Sequence, residues 1–347
     1  MSKEKLTRED SEILLNHYQT ERFSKIHNST VLITGSGFFA LWLLEILTLL
    51  NDKFNANIRI IVISRNLKSL KSEAPQFLTR KDIIFFEKDI RQISDLNQDI
   101  EWIINTVGDT NTRNHATDPV GTIDSIVNGA KNLFDHSIRL DNIKKILHLS
   151  SGLVNGNTEG SQALKESDLG IVDFTLSSNC YVEAKRFSET LCASYRSEFR
   201  LPIVIARPFA FIGPYQSLDS PFALNNFLRD GMSGNLIRVL GDGETIRSYL
   251  YGADAAFLVL KVLTEGEPGS IFNIGSEEGI KIKDLAGRIA GNFGNQSKVE
   301  LNYFGYKTNY SVLVPDLSFV KRKLGFSPYF TLEDSLKRTI GWHSHPA

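Results

Sequence analysis

Apolar positions follow two rhythms along this chain. Short runs rich in β-branched residues recur without strict alternation: Thr30 to Thr34 (TVLIT), Ile58 to Ser64 (IRIIVIS), Ile83 to Phe86, Trp102 to Thr106, Ile146 to Ser150 and Ile203 to Ala206. A strand with one wet face would alternate, so these read as strands covered on both faces. Helical periodicity fills most of the gaps, as in Phe38 to Leu50. Strands alternating with helices predict a parallel sheet with right-handed crossovers, a doubly wound α/β fold.

The two ends differ from this middle. Thr7 to Asp10 has the form of a capping box, opening a helix with Ile13, Leu14, Leu15 and Tyr18 on one side. Residues 1–28 are therefore expected to be a helical extension packed on the main body, and residues 29–206 the sheet domain. After Arg207 the rhythm breaks, because Pro208, Gly213, Pro214 and Pro221 divide the chain into loops and short helices. Residues 207–347 are expected to form mainly a smaller substrate-binding domain, with some segments returning to the sheet domain. It would sit over the C-terminal strand edges, where ligands bind in open α/β sheets.

Composition narrows the function classes. A formal net charge of −1 gives no reason to expect nucleic acid or an anionic membrane as partner. Two cysteines, Cys180 and Cys192, make no disulfide framework and suit a reducing compartment. The longest apolar stretch, Phe38 to Leu50, is interrupted by Glu45 and is too short to span a bilayer. Met1 to Asp10 is charged, unlike a signal peptide, so a cytoplasmic location is expected.

The first strand runs into Gly35-Ser36-Gly37-Phe38-Phe39-Ala40, a G-x-G-x-x-A sequence. Gly35 permits the tight turn, Gly37 lets a pyrophosphate approach the backbone, and Ala40 lets the helix pack closely on the strand. The helix N-terminus then offers free N–H groups to the phosphates. Strand before, helix after and second strand about 20 residues on are the context this dinucleotide (Rossmann) fingerprint requires. NAD(P) is thus the expected cofactor. An acidic residue ending the second strand would bind the ribose 2′-hydroxyl of NAD, but here stand Ser64, Arg65 and Asn66. Arg65 could pair with a 2′-phosphate, which tilts the expectation towards NADP, or could only stack on the adenine. Asp89 and Ile90, after the third strand, are placed to flank the adenine.

Tyr181-Val182-Glu183-Ala184-Lys185 is a Y-x-x-x-K sequence within a predicted helix. Residues i and i+4 share a face, so phenol and ammonium lie side by side. A free phenol is too weak an acid to serve as a neutral-pH base; a fixed positive charge lowers its pKa. Ser150 and Ser151 end the fifth strand, and a hydroxyl there could hold the substrate oxygen beside Tyr181.

In order, T-G-x-G-F-F, S-S-x-x-V-x-G, Y-x-x-x-K, A-R-P-F and R-S-Y-L-Y-x-x-D resemble the extended short-chain dehydrogenase/reductases, in particular the nucleotide-sugar epimerase/dehydratase branch. Later markers agree: Gly241-Asp242-Gly243, Asp254 and Phe272-Asn273-Ile274-Gly275. The resemblance implies that Ser151, Tyr181 and Lys185 are the catalytic triad and that Lys185 also holds the nicotinamide ribose. It places Val107, Gly108, Arg207 and Pro208 at the cofactor. It gives Ser151, Gly152, Leu153 and Arg247 to the substrate, Arg247 at the nucleotide diphosphate; Asn225, in the FALNNF segment, is a further substrate-binding candidate. It implies a nucleotide-activated sugar as substrate and a homodimer through the helices near Ile123 to Phe134 and Tyr181 to Tyr195.

The chain also departs from that pattern. Its glycine motif is one residue shorter, Asn155 replaces the tyrosine of V-Y-G, and Ala210 replaces an expected asparagine. Relatives that make 4-keto-6-deoxy sugars carry Asp-Glu after the serine, and decarboxylases a Glu at position 153; here stand Gly152 and Leu153, which move no protons. What remains is hydride transfer at a sugar carbon, C4: an epimerase, or an NADPH-dependent reductase of a 4-keto sugar. A non-catalytic dinucleotide sensor is the rival, but such proteins lose the tyrosine or the lysine. His148 reads as a satisfied core residue, and His343 with His345 as a terminal pair without the companions of a metal site, so no metal is expected. Asp109, Asn111 and Arg113, after the fourth strand, could be polar contacts to the substrate, though solvated loop positions are the first expectation; Asn226, like Asn225, could either reach the nucleotide or serve as a cap or a solvated surface residue.

Overall fold

The computed structural model describes residues 2–18, 20–94, 96, 99–108, 112–156, 163–294, 299–302 and 311–344. Asp109, Asn111 and His345 lie outside them. The strands in chain order are β1 (Thr30–Thr34), β2 (Arg59–Ser64), β3 (Ile83–Glu87), β4 (Trp102–Asn105), β5 (Lys145–Leu149), β6 (Ile203–Pro208), β7 (Ala210–Ile212), β8 (Ile237–Leu240), β9 (Ile246–Tyr251), β10 (Ile271–Ile274), β11 (Gly279–Lys281), β12 (Val299–Asn302) and β13 (Val312–Leu313). The helices are α1 (Lys3–Tyr18), α2 (Phe38–Phe54), α3 (Lys68–Glu73), α4 (Thr112–Thr117), α5 (Pro119–Ser137), α6 (Cys180–Phe199), α7 (Ala223–Met232), α8 (Gly252–Glu265), α9 (Ile282–Asn292), α10 (Ser318–Leu324) and α11 (Leu332–Ser344).

A parallel sheet of order β10-β6-β5-β4-β1-β2-β3 forms the centre. β1 and β4 are buried along their whole length, because helices cover both faces. On one face α2 and α8 pack with the sheet; on the other, α5 and α6 contribute Leu133, Phe134, Cys192 and Tyr195 to a second core. Strand order reverses between β1 and β4, which opens a crevice at their C-terminal ends. The chain returns to the sheet domain late: α8 is buried almost end to end against α2, and β10 is the seventh strand. The remaining segments build a smaller sheet on β9, flanked by β11 and by β13 and β7, and a β8–β12 pair. Ile212, Phe227, Leu285 and Leu336 pack in its own core.

The capping-box reading of the N-terminus is overturned. α1 starts at Lys3, so Thr7 lies inside the helix, and its hydroxyl donates to Glu45 Oε1 at 2.8 Å. Asp10, three residues on, is buried and accepts from the Tyr251 hydroxyl and Arg338. Both polar residues face inward with Leu6, Leu14 and Leu15 because α1 packs on α2 and α8, and long-range polar partners outcompete local capping.

Candidate active site

The loops after β1 and β4 line a cavity of about 240 Å³ at the reversal of strand order. It brings together Gly35, Gly37, Phe38, Phe39, Ser64, Arg65, Asp89, Ile90, Val107 and Gly108, all nominated from sequence for cofactor binding. Ala40, Ile63, Lys88, Thr106 and Ser125 complete the wall. Of these, Lys88 stands next to Asp89 and could have been suspected. Thr106 and Ser125 carry no sequence signal, since only the sheet and α5 bring them to the glycine loop.

Two glycines act differently here. Gly35 has φ +92°, and a Cβ there would stand 2.7 Å from Thr106 Oγ1, so the turn and the approach of β4 both demand glycine. A Cβ on Gly37 would meet nothing within 4 Å; its smallness leaves open space in front of α2. Gly37 is the N-cap of α2 and no side chain caps that end. The first N–H groups of the helix therefore lack intrahelical partners and face a site suited to an anion. The fit to a dinucleotide pyrophosphate is good. Ser36 does not line the cavity; its hydroxyl bonds to Ser64 Oγ (2.9 Å) and Asn66 O (2.8 Å), tying the glycine loop to the end of β2.

At the far end, Asp89 accepts from Arg91 N at 2.9 Å and Arg91 Nε at 3.0 Å. The Arg91 guanidinium holds the Asp89 carboxyl below the usual carboxylate range, so its charge is already matched. Arg65 and Lys88, on the same wall, are exposed and form no salt bridge among the described residues.

The Y-x-x-x-K pair lies on the inner face of α6. Tyr181 and Lys185 are both buried. Lys185 Nζ donates to Val107 O at 3.0 Å and Leu149 O at 2.8 Å, which seats it behind the cavity wall between the ends of β4 and β5. Burial lowers its pKa to about 8. The ring of Tyr181 stacks on His115 from α4, with centroids 4.5 Å apart and planes at 13°, a contact no sequence spacing would suggest. Ser151 follows β5 by two residues. Its Oγ accepts from Leu153 N at 3.2 Å, which leaves the hydroxyl proton to donate elsewhere. Gly152 packs under Phe209: a Cβ would stand 2.7 Å from that ring, whereas the Leu153 side chain is exposed.

Other nominated residues are placed apart from the cavity wall. Arg207 points away, its guanidinium bidentate on Glu189 of α6 at 2.9 and 2.8 Å and bonded to Glu166 O at 2.7 Å. It is buried, and with Pro208 it ends β6. Asn225, on α7, is buried; Nδ2 donates to Ser217 O at 2.9 Å, while Oδ1 has no hydrogen-bond partner among the described residues. Arg247, on β9, donates to Ile246 O and to Ser311 O and Oγ. Asn226 accepts from Arg229, Arg113 lies exposed on α4, and His343 is half-buried at the end of α11.

Several known proteins are similar to this chain. A trifunctional UDP-glucose 4,6-dehydratase/UDP-4-keto-6-deoxy-D-glucose 3,5-epimerase/UDP-4-keto-L-rhamnose-reductase of Arabidopsis thaliana is 28% identical over 204 residues, 58% of this chain but 30% of that protein. The chain thus spans about a third of the length of such relatives. A UDP-N-acetyl-alpha-D-glucosaminuronate decarboxylase of Bacillus cytotoxicus is 29% identical over 228 residues, 63% of this chain and 69% of the relative. Two solved structures share the fold. UDP-glucose 4-epimerase of Thermotoga maritima superposes with a TM-score of 0.75 at 20% identity, covering 90% of this chain and 98% of its own. UDP-glucuronic acid 4-epimerase of Bacillus cereus, in complex with NAD, gives 0.76 at 23% identity, covering 90% and 96%. The model of the NAD dependent epimerase/dehydratase family matches residues 31–275. That span runs from β1 to the residue after β10 and takes in the glycine loop, Ser151, Tyr181 and Lys185. This chain belongs to the NAD dependent epimerase/dehydratase family.

Proposed function

We propose that this chain is an NAD(P)-dependent enzyme that moves hydride at C4 of a nucleotide-activated sugar, with epimerisation as its net reaction. The seat of Lys185 carries the reading. Its ammonium is held by the Val107 carbonyl, part of the cofactor cavity wall, and by Leu149, two residues before Ser151. It thereby ties the Tyr181 helix to both the cavity and the serine.

A bound dinucleotide would supply a reversible hydride acceptor, with its pyrophosphate on Gly35, Gly37 and the N-terminus of α2. Tyr181 takes the sugar hydroxyl proton, and the Lys185 charge one turn on stabilises the phenolate. Ser151 donates its free proton to the same sugar oxygen and steadies developing negative charge. When the carbonyl oxygen becomes a hydroxyl again, Tyr181 returns the proton. Arg247 and the unsatisfied Asn225 Oδ1 are the candidate contacts for the nucleotide part. Dehydration and decarboxylation, which appear in the names of relatives, are disfavoured by the residues after Ser151. Position 152 has no room for a carboxylate beneath Phe209, and Leu153 has no proton to move.

A second reading is net reduction of a 4-keto sugar by NADPH. Arg65 and Lys88 favour it, since a carboxylate for a 2′-hydroxyl is missing from β2's end, where Arg65 stands instead, and Lys88, after β3, lines the same wall. The test is incubation with UDP-glucose and dTDP-glucose, with products followed by NMR and NADPH by absorbance. Epimer formation without net cofactor change supports the first reading; steady NADPH loss with a 4-keto nucleotide sugar supports the second. Tyr181→Phe is expected to lose at least ~10²-fold in turnover while keeping cofactor. Turnover equal to the parent's would overturn both.

The same reading includes a homodimer. Val120 and Ile123 of α5 and Phe187 of α6 are exposed apolar side chains on the helix pair implicated by sequence, and sedimentation as a monomer at micromolar concentration would refute it. Cys180 and Cys192, both buried and unpaired, support a reducing, cytoplasmic compartment.

A further inference from the structure

His148 is fully buried on β5, beside its cross-strand neighbour Asn105 on β4. Both ring nitrogens are used: Nδ1 lies 3.0 Å from Asn105 Nδ2, and Nε2 lies 2.9 Å from Ser188 Oγ on α6. The proton positions follow from the partners. Val107 N–H can only donate, and it points to Asn105 Oδ1 at 3.2 Å; Thr34 Oγ1 donates to the same oxygen at 3.0 Å. Asn105 Nδ2 therefore faces the imidazole, and His148 Nδ1 must accept. Nε2 then carries the hydrogen and donates to Ser188 Oγ, which itself donates to Lys185 O at 2.8 Å.

The bonds close on themselves. Asn105 orients Val107, the Val107 carbonyl takes the Lys185 ammonium, the Lys185 backbone carbonyl takes Ser188, Ser188 takes His148, and His148 takes Asn105. Ser188 follows Lys185 by three residues and Tyr181 by seven, so all three lie on one face of α6. We infer that His148 is a positioning residue: as a neutral, single-tautomer imidazole it locks α6 against β4 and β5, and so fixes the Lys185 ammonium in its seat one helical turn from Tyr181. The inference rests on the acid–base role proposed for Tyr181 and Lys185.

Electrostatics agree with the neutral form. Burial, and then the Lys185 charge, push the His148 pKa well down. The other titratable groups around the circuit are His115, stacked on Tyr181, and Cys192 and Glu189 on α6, with Glu189 committed to Arg207. None of them is hydrogen-bonded to the ring among the described residues.

The test is a direct titration of Tyr181 in the NAD(P)+-loaded protein by tyrosinate ultraviolet absorbance. The chain has 10 tyrosines, so the difference from Tyr181→Phe isolates the one that matters. His148→Leu should raise the apparent Tyr181 pKa by about one unit or more, because the ammonium is no longer held beside the phenol. Ser188→Ala, which deletes one oxygen and guards against a misfolded leucine variant, should shift it in the same direction. His148→Gln keeps a donor at the Nε2 position and should restore most of the parent value. Folded variants that leave the Tyr181 titration where the parent has it, changing only the melting temperature, would overturn the positioning role alone. A parent with no tyrosinate signal removed by Tyr181→Phe would sink the acid–base reading, and this inference with it.

Discussion

Glu45 gives the most quantitative handle on this molecule. It lies mid-way along α2, buried, and accepts from the Thr7 hydroxyl at 2.8 Å and from the Tyr215 hydroxyl on the same oxygen. No salt bridge reaches it among the described residues, and burial raises its pKa to about 7 from the ordinary 4.5. The folded state therefore holds this proton more tightly than the unfolded chain does. Its contribution is fully present below the unfolded pKa and is lost as pH rises through the folded one. At about 1.4 kcal/mol per unit, the full loss is roughly 3 kcal/mol. Glu45→Gln keeps a carbonyl acceptor for both hydroxyls and has no proton to lose. Urea unfolding of parent and variant should diverge with pH: the variant's advantage should grow by ~2 kcal/mol between about pH 5.5 and about pH 8.5. Asp254, also buried with its pKa raised to about 7, titrates in both proteins and cancels in the difference; Asp10, raised likewise, feels the Glu45 charge only as one of its weaker influences, after burial, Tyr251 and Arg338, and cancels to first order. A parent-minus-variant difference that stays flat across that range would refute the reasoning.

Three further outcomes are expected. Replacing both Arg65 and Lys88 by alanine should weaken NADPH binding about tenfold or more and leave NADH nearly unchanged, read by fluorescence titration; equal losses for the two cofactors would argue against a 2′-phosphate site. Arg207→Met leaves the partly buried Glu189 carboxylate without its partner and should cost about 3 kcal/mol in denaturant unfolding. A double change of Arg207 and Glu189 to methionine should recover much of it, and a single-variant loss near zero would contradict the ion pair. Gly35→Val forces a side chain at φ +92° into Thr106, so it should lower the melting temperature and abolish cofactor retention together. Full cofactor binding in that variant would mean the glycine loop is not the pyrophosphate cradle.

Some features were legible because their causes are local or periodic. Runs such as Thr30 to Thr34 and Arg59 to Ser64 lack alternation because helices cover both faces, and the structure pairs them in parallel. The glycine loop could be read because a turn with φ +92° and a close backbone approach leave few residue choices. Tyr181 and Lys185 share a face because i and i+4 always do in a helix. Thr7 was misread for the opposite reason: a capping box is a local pattern, and Glu45, 38 residues away, supplies a partner that local patterns do not include.

Chain order, element type and the class of cofactor thus followed from backbone sterics and burial, which act over a few residues. Only the folded molecule decided what each polar group meets on its far side. It brought Lys88 to the wall with Arg65, laid His115 on Tyr181, turned Arg207 away to Glu189 and closed the bonds between His148 and Lys185. The worth of a buried charge or hydrogen bond depends on desolvation and on ångström-scale distances between elements far apart in the chain. Packing sets those distances, and no spacing of residues along the sequence encodes them.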